Sequence, residues 1–268
     1  MTSTRIAGVE ARAAAAGGEG KRAYVRRIFS EIAPRYDLLN HLLSFNVDRR
    51  WRRQAIHELA WEERPRGVYL DLCAGTLDVG ALLARQAGFR GLVLGADFAE
   101  PMLRRGLGKA PPGLLAPLAA DALSVPLGDG VAAGAIVAFG VRNLADLDAG
   151  LREVHRVLAA GARFVILEFS TPRARVVRAA YQTYFRRVLP TVGRLVSGHP
   201  TAYRYLPESV AHFPEAGALA QRMEAAGFSQ VRFRRLTFGI AAIHVGVKRD
   251  GVRDPTSGDP SSVSLIRE

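Results

Sequence analysis

The chain has 268 residues, 49% hydrophobic and 23% charged, and its 37 Lys and Arg against 25 Asp and Glu give a formal net charge of +12. This composition predicts a globular protein of one large or two small domains, and it excludes a disordered or fibrous chain. The single Cys excludes an intramolecular disulfide, and the longest apolar stretch, residues 131–141, is too short to span a bilayer.

The excess positive charge is compatible with three kinds of partner: a nucleic acid, a membrane surface or an acidic ligand. Only three of the 37 basic residues are Lys, and a GC-rich genome also produces such a preference for Arg. The net charge by itself therefore selects none of the three.

Both ends of the chain are typical of disordered tails. Residues 1–20 and 250–268 lack apolar periodicity and are rich in small and polar residues. Between them we expect a single domain over residues 21–249. Its first part, about 22–62, has apolar residues at helical spacing and predicts two or three helices, broken at Pro34 and around Asn46, that form a lid.

After the lid, short apolar runs alternate with amphipathic stretches, as in a parallel sheet with crossover helices. The predicted strands are residues 68–72, 92–96, 114–119, 135–140 and 164–169, and a helix is predicted at 146–158. A helical insertion rich in Arg and aromatic residues follows at about 173–205.

The last part of the chain predicts a hairpin. A helix over residues 215–226 ends at Gly227, and strands over 230–236 and 240–247 are separated by a short connection. The predicted fold class is therefore α/β: a Rossmann-like, doubly wound, mostly parallel seven-stranded sheet with an antiparallel C-terminal edge hairpin.

Acidic residues stand at the ends of three consecutive predicted strands. Asp71 and Gly75 occupy the first strand-to-helix turn, where Gly permits close approach of a ligand. Asp97 ends the second strand, where an acid can accept hydrogen bonds from both ribose hydroxyls. Asp121, followed by Ala122, is placed to accept from an adenine amino group. Each acid alone could be a helix cap, but the three together favour an adenosine site.

A dinucleotide fits this pattern poorly. The G-x-G-x-x-G motif is absent, and Asp78 near the turn would repel a pyrophosphate. S-adenosylmethionine has no phosphate and carries a cationic sulfonium, so nearby carboxylates suit it. We therefore expect S-adenosylmethionine as the cofactor.

Several further segments are distinctive: residues 28–53, 138–158 with 165–172, and 203–214 with 236–248. On these the chain resembles the UbiE/MenG-like ubiquinone/menaquinone biosynthesis C-methyltransferases, a branch of the class I S-adenosylmethionine-dependent methyltransferases. The resemblance implies that Thr76, Asp97, Asp121 and Ala122 contact the cofactor. In one departure, Leu77 stands where the family usually has a second Gly. Leu there implies backbone strain of about 1 kcal/mol if φ is positive, or otherwise bulk beside the cofactor.

Methylation of a quinol ring carbon needs the acceptor aligned and its ring oxygen stabilised as an anion. Arg142 follows the fourth strand, and we expect it to hold that oxygen or a water that takes the ring proton, with Asn143 positioning it. Tyr36 in the lid is a further candidate for acceptor contact or proton relay. The alternatives are a salt-bridge role for Arg142 and core packing for Tyr36.

Neither a metal nor a nucleic acid is expected. The six His residues lack metal-ligand spacing. Cys73 lies in the cofactor loop, whereas C5-pyrimidine methyltransferases attack through a Cys beyond it. Residues 140–143 read Gly-Val-Arg-Asn where amino-group methyltransferases of nucleic acid carry a Pro-Pro-aromatic motif.

The segment 173–205 contains seven Arg and no acid, interleaved with aromatic residues. Because a polyprenyl quinol resides in the bilayer, we expect this segment to contact an anionic membrane surface. A solvated helix face with surplus Arg is the alternative. The expected location is the cytoplasm, with peripheral contact on the inner face of the cytoplasmic membrane, and a homodimer is left open.

The leading hypothesis is conversion of demethylmenaquinol to menaquinol, with 2-methoxy-6-polyprenyl-1,4-benzoquinol of the ubiquinone pathway as a further substrate. Two alternatives remain open. One is a non-catalytic methyltransferase-like subunit that binds a quinone or a partner, and the other is a methyltransferase of secondary metabolism.

Overall fold

The computed structural model describes residues 19–33, 44, 46–184 and 202–249. These residues form a seven-stranded sheet of order β3-β2-β1-β4-β5-β7-β6. The strands are β1 Val68–Leu72, β2 Leu92–Asp97, β3 Leu115–Ala119, β4 Ala132–Ala138, β5 Leu158–Phe169, β6 Phe228–Leu236 and β7 Ala241–Lys248. The first five pair in parallel, and β7 is antiparallel to both β5 and β6. The predicted doubly wound sheet with an antiparallel edge hairpin is confirmed.

Helices pack against both faces of the sheet. They are α1 Glu19–Ile32, α2 Val47–Glu58, α3 Asp78–Ala84, α4 Glu100–Gly106, α5 Leu147–Val157, α6 Arg175–Thr183, α7 Ala202–His212 and α8 Ala216–Ala225. Alternate residues of a strand point to opposite faces. Leu70 of β1 accordingly packs in a core with α5 and α8, while its neighbour Tyr69 packs in a second core with α2 and α3. No helix of the described part of the chain is long and apolar enough to cross a membrane.

Three strands begin earlier than the sequence pattern predicts, β6 by two residues and two others by more. β4 starts at Ala132 rather than at residue 135, and β5 starts at Leu158 rather than at 164. Ala132 pairs with Leu158, and the register then shifts so that Gly134 pairs with Arg163. Gly161 has a φ of 72° within this irregular stretch. Gly161 therefore lies within β5, at the irregular pairing, and does not mark the start of the strand. Strand β5 begins directly after the last residue of α5.

A third apolar cluster lies beyond the carboxyl ends of the strands. Tyr24, Val25 and Ile28 of α1 pack there with Tyr181 of α6 and Tyr205 of α7. The predicted breaks fall beside described helix ends, since α1 ends at Ile32 and α2 begins after residue 46, whose φ is 59°. The middle of the predicted insertion, residues 185–201, lies outside the described residues.

The loop after β1 is fixed by an unusual piece of packing. Leu77 has a φ of 63° and is 1% exposed. A Cβ at Gly95 of β2 would overlap Leu77 Cδ2, and one at Gly106 of α4 would lie 2.6 Å from Leu77 Cβ. The first alternative therefore applies: the backbone at Leu77 is strained by its positive φ, and the side chain fills a space that two glycines leave open.

Gly95→Ala should destabilise the protein by about 1–3 kcal/mol because the new methyl overlaps Leu77. In the Leu77→Ala background the same change should cost under about 0.5 kcal/mol, since only Ala74 Cβ at 3.4 Å remains close. Urea unfolding of the four proteins measures this coupling.

Gly106→Ala is the matched control. Its Cβ would also lie 2.6 Å from the backbone oxygen of Thr76, so truncating Leu77 cannot rescue it. A Gly95→Ala cost that is equal in both backgrounds would contradict the packing described.

Candidate active site

A pocket with about 430 Å³ of empty space lies at the carboxyl ends of the strands. The pocket is open, so this space includes solvent at its mouth. Two carboxylates, Asp97 and Asp121, line it together with small residues such as Cys73 and Ala122, and Asn143 closes the side toward β4. The pocket therefore combines small apolar walls with a few polar groups, as expected of a site for a nucleoside.

Asp97 joins the ends of β1 and β2. Its Oδ2 accepts a hydrogen bond from the backbone N–H of Gly75 at 2.9 Å, and its Oδ1 accepts from the N–H of Ala99 at 2.8 Å. Burial raises the pKa of this carboxyl, although the backbone hydrogen bonds oppose the shift. Because each carboxylate oxygen can accept more than one hydrogen bond, Asp97 keeps acceptor capacity for a ligand in the pocket it lines.

Asp71 faces away from the pocket. It is 1% exposed, and its Oδ2 accepts from the N–H of Gly80 in the first turn of α3 at 2.8 Å. Burial raises its pKa to about 7. In dinucleotide-binding folds the amides at this helix end hold a phosphate. Here the Asp71 carboxylate takes one of them and does not line the pocket, and its cofactor contact stays a prediction.

Asp78 does not line the pocket either. Asp78 forms ion pairs with Arg52 at 2.6 Å and with Lys109 at 2.7 Å. Its pKa is lowered, because these two cations outweigh the opposing effect of burial. The arginine and the lysine attach the N-terminus of α3 to α2 and to the segment after α4.

The lid helix α1 is tied to both sides of the site by two consecutive residues. Arg22 forms an ion pair with Asp121 Oδ2 at 2.7 Å and lines the pocket. Lys21 Nζ donates to the backbone oxygen of Arg142 at 2.9 Å. Neither contact could be predicted from the sequence, because helical spacing identifies α1 but not the groups that its basic side chains contact.

Arg142 is held in a buried ion pair. Its Nη1 donates to Glu168 Oε1 at 2.8 Å and to the backbone oxygen of Phe139, and its Nε donates to Ser209 Oγ at 3.3 Å. Glu168 is 1% exposed. The alternative interpretation of Arg142 as a salt-bridge residue thus describes its contacts, and its side chain does not line the described pocket. Sequence analysis missed Glu168, although an acid inside an apolar strand was a usable signal.

Unpaired polar atoms lie beside this ion pair. Asn143 Oδ1 and Tyr205 Oη are buried and have no hydrogen-bond partner among the described residues. Burial raises the pKa of Tyr205 to about 12, so its hydroxyl keeps its proton. A buried polar atom without a partner costs about 1–3 kcal/mol, which indicates that a ligand or water completes these bonds.

The remaining predicted residues divide into three groups. Ala122 lines the pocket, and its contact with the cofactor stays a prediction. Gly75 and Thr76 lie in the loop that Asp97 holds, with Thr76 buried, and neither lines the pocket. Tyr36 lies outside the described residues.

The chemistry of the donor set fits S-adenosylmethionine. The pocket offers carboxylate oxygens for hydroxyl and amino groups, with Asp121 already paired to Arg22, and Asp71 occupies one of the amides at the start of α3. With two carboxylates against one guanidinium in its lining, such a site favours a neutral or cationic adenosine compound over a phosphorylated one.

Comparisons with known proteins agree with this chemistry. A family model described as the ubiE/COQ5 methyltransferase family matches residues 18–248. The chain is 52% identical over 221 residues to the demethylmenaquinone methyltransferase of Thermus thermophilus, covering 82% of this chain and 99% of that protein. It is 44% identical over 228 residues to the ubiquinone/menaquinone biosynthesis C-methyltransferase UbiE of Geobacter sulfurreducens, covering 84% and 88%.

Among solved structures, a SAM-dependent methyltransferase of Thermotoga maritima has a TM-score of 0.59 at 15% identity. The match covers 83% of this chain and 99% of that one. At this identity the likeness shows the fold alone, which is that of the class I S-adenosylmethionine-dependent methyltransferases.

Asp71→Asn should flatten the pH dependence of stability. Burial raises the Asp71 pKa from an ordinary 3.8 to about 7, so between these values the folded state binds more protons than the unfolded state. As the pH rises through this window, Asp71 should therefore lower the unfolding free energy of the wild type by about 1.4 kcal/mol per pH unit.

The variant lacks that contribution, so its unfolding free energy in urea between about pH 4.5 and pH 7 should fall less steeply. Other carboxyls whose pKa is raised, such as Asp97, contribute equally to the pH dependence of both proteins. Parallel pH profiles for wild type and variant would contradict a buried, proton-retaining Asp71.

Proposed function

This chain belongs to the ubiE/COQ5 methyltransferase family and is an S-adenosylmethionine-dependent C-methyltransferase; from that premise we propose that it converts demethylmenaquinol to menaquinol. The observation that carries the proposal is 52% identity over 99% of a demethylmenaquinone methyltransferase. The benzoquinol of the ubiquinone pathway is a second candidate substrate, favoured by 44% identity to an enzyme named for both pathways.

When bound, S-adenosylmethionine supplies an electrophilic methyl group on a cationic sulfonium. We assign Asp97 to the ribose hydroxyls, and Asp121 with Ala122 to the adenine side, because all three line the pocket. Gly75 and Thr76 act through the loop that Asp97 anchors. Asp71 accepts a hydrogen bond from the first turn of α3 and so fixes the helix that follows this loop.

The acceptor side is positively charged. Glu168 is ion-paired with Arg142, and Lys21 donates to the backbone oxygen of Arg142, although burial and the Arg142 charge lower the pKa of Lys21. An excess of positive charge in a buried region favours the ionised form of a ring hydroxyl, which makes the ring carbon a better nucleophile. Asn143, with its unpaired Oδ1, would orient the acceptor ring or a water that takes the ring proton. Tyr36 keeps its role as a proposed acceptor contact.

Membrane contact and location extend the proposal. A cytoplasmic enzyme that methylates a polyprenyl quinol must meet the inner face of the membrane to reach its substrate. Residues 170–207 contain no acid, which supports contact with anionic lipid. A homodimer remains a prediction of the sequence alone.

Expression of the chain in a bacterial strain that lacks quinone C-methylation should restore menaquinone, read by mass spectrometry of extracted quinones. Unmethylated quinone alone, from a strain that accumulates the folded protein, would contradict the proposal. Calorimetric titration with S-adenosylmethionine then separates the alternatives, because a non-catalytic subunit would show no heat of binding.

Arg142→Lys should lower kcat by about a hundredfold. A Lys ammonium cannot make the forked contacts of a guanidinium with Glu168, Ser209 and a backbone oxygen. Affinity for S-adenosylmethionine should change little, because the Arg142 side chain does not line the described pocket.

Arg156→Lys is the matched control, since Arg156 is ion-paired with Glu153 at 2.7 Å and bonds backbone oxygens before β4. It should leave kcat unchanged. Equal losses of kcat in both variants, or a loss for Arg142→Lys that follows thermal unfolding, would argue for a purely structural Arg142.

A further inference from the structure

The turn between β6 and β7 exposes a phenylalanine in an unfavourable conformation. Phe238 is 82% exposed and has a φ of 56°, and its neighbour Thr237 has a φ of 44°. Residues with a Cβ rarely adopt this region, and a β-branched Thr is among the least suited to it. The chain thus combines backbone strain with exposure of a large apolar ring, a combination that points to a function.

The turn is held in place by specific hydrogen bonds. Trp51 Nε1 donates to Thr237 Oγ1 at 2.9 Å, and Ser170 Oγ donates to the backbone oxygen of Gly239 at 2.7 Å. The backbone N–H of Ser170 also donates to the oxygen of Ile240 at 2.9 Å. Phe238 is therefore presented on a fixed support, so little conformational entropy is left to lose when its ring is buried.

A second exposed apolar residue lies on the adjoining helix. A Cβ at Gly239 would lie 3.4 Å from Pro172 Cα and 4.0 Å from the backbone N of Arg173, so the turn touches the chain just before α6. Val176 on α6 is 82% exposed. We name Phe238, Val176 and the exposed Arg173 and Arg175 the docking tip.

The two described segments that meet at the docking tip carry positive charge only. Residues 170–184 and 225–249 contain no Asp or Glu. Arg235, in the strand that leads into the turn, lies with its guanidinium 5.0 Å from the ring centre of Phe233. Exposed apolar side chains set among arginines match the headgroup region of an anionic bilayer, where rings and methyl groups enter below the phosphates that attract the cations.

The docking tip stands at the active-site edge of the sheet. The end of β5 pairs with the start of β7 at Phe169 and Ala241, so the turn lies beyond the carboxyl ends of the parallel strands. Leu107, which is 60% exposed, follows α4 and precedes β3, and therefore lies at the opposite edge. The exposed apolar residues flanked by arginine at the active-site edge are placed where a membrane-resident acceptor would enter.

We propose that the docking tip is the surface by which this protein binds an anionic lipid bilayer, with Phe238 as the residue that enters it. The inference rests on the proposed function, since only an acceptor held in the bilayer gives the enzyme a reason to dock with its active-site edge. A protein partner is the competing occupant, and the absence of acid and the fixed aromatic favour lipid.

Sedimentation of the full chain with phosphatidylcholine vesicles, with and without phosphatidylglycerol, tests the proposal. Wild type should bind the vesicles that contain phosphatidylglycerol. Phe238→Asn should weaken that binding roughly tenfold, because the buried ring area is lost. Asn tolerates a positive φ, so the variant keeps the turn.

Leu107→Asn is the matched control and should bind as wild type does, since it removes a similar apolar side chain at the opposite edge. The double variant Arg173→Gln/Arg175→Gln should bind more weakly and with a smaller dependence on salt. Unchanged vesicle binding by Phe238→Asn, or an equal loss for Leu107→Asn, would overturn the proposal.

Methylation of a water-soluble, short-chain demethylmenaquinol separates this proposal from the proposed function. Phe238→Asn should keep the wild-type kcat on that substrate, and a parallel loss of kcat and vesicle binding would make the turn a structural element instead. If wild type does not methylate the quinol at all, the proposed function fails independently of the vesicle result. Loss of self-association in Phe238→Asn with unchanged vesicle binding would assign the surface to a second copy of the chain.

Discussion

Buried carboxylates at the strand ends are the constraint on which the site depends. Asp71 holds the N–H of Gly80, and Asp97 holds those of Gly75 and Ala99. Glu168, near the end of β5, accepts from the backbone N–H of Arg142 and of Phe169. Burial raises the pKa of all three acids, so each costs free energy that the backbone hydrogen bonds only partly offset. In return, the three carboxylates fix loops at the strand ends that sheet hydrogen bonds alone would not hold. Unfavourable burial of this kind is expected at functional sites.

The same carboxylates set the chemistry of the site. Asp71 blocks the helix amide that would attract a phosphate, while Asp97 and Asp121 face a pocket that suits a cationic adenosine compound. Glu168 fixes Arg142, and Lys21 of the lid adds a second cation to the acceptor side. In the proposed site, a cofactor side with two carboxylates and Arg22 and an acceptor side with Arg142, Lys21 and Glu168 meet at Asn143. This division of charge suits transfer of a cationic group to an anionic ring.

Local patterns predicted the sheet and part of the site. Apolar runs indicated the parallel strands and the edge hairpin, and strand-end position alone selected Asp97 and Asp121, both of which line the pocket. The same position also selected Asp71, whose carboxylate holds the first turn of α3, a contact that depends on the helix packed against it. Glu168, 26 residues from Arg142, was missed, and so was Ser209 at 67 residues, because such contacts arise only from the packed fold. Leu77 could be interpreted only once Gly95 and Gly106 were placed around it.

Transfer of an isotopically labelled methyl group tests the central claim most directly. The purified chain is incubated with demethylmenaquinol and S-adenosylmethionine deuterated in its methyl group, and the product is located by mass spectrometry and NMR. Because the chain belongs to a family of C-methyltransferases, we predict an intact labelled methyl group on the ring carbon. A labelled methyl group on the ring oxygen, or no transfer by a chain that binds the cofactor, would contradict it.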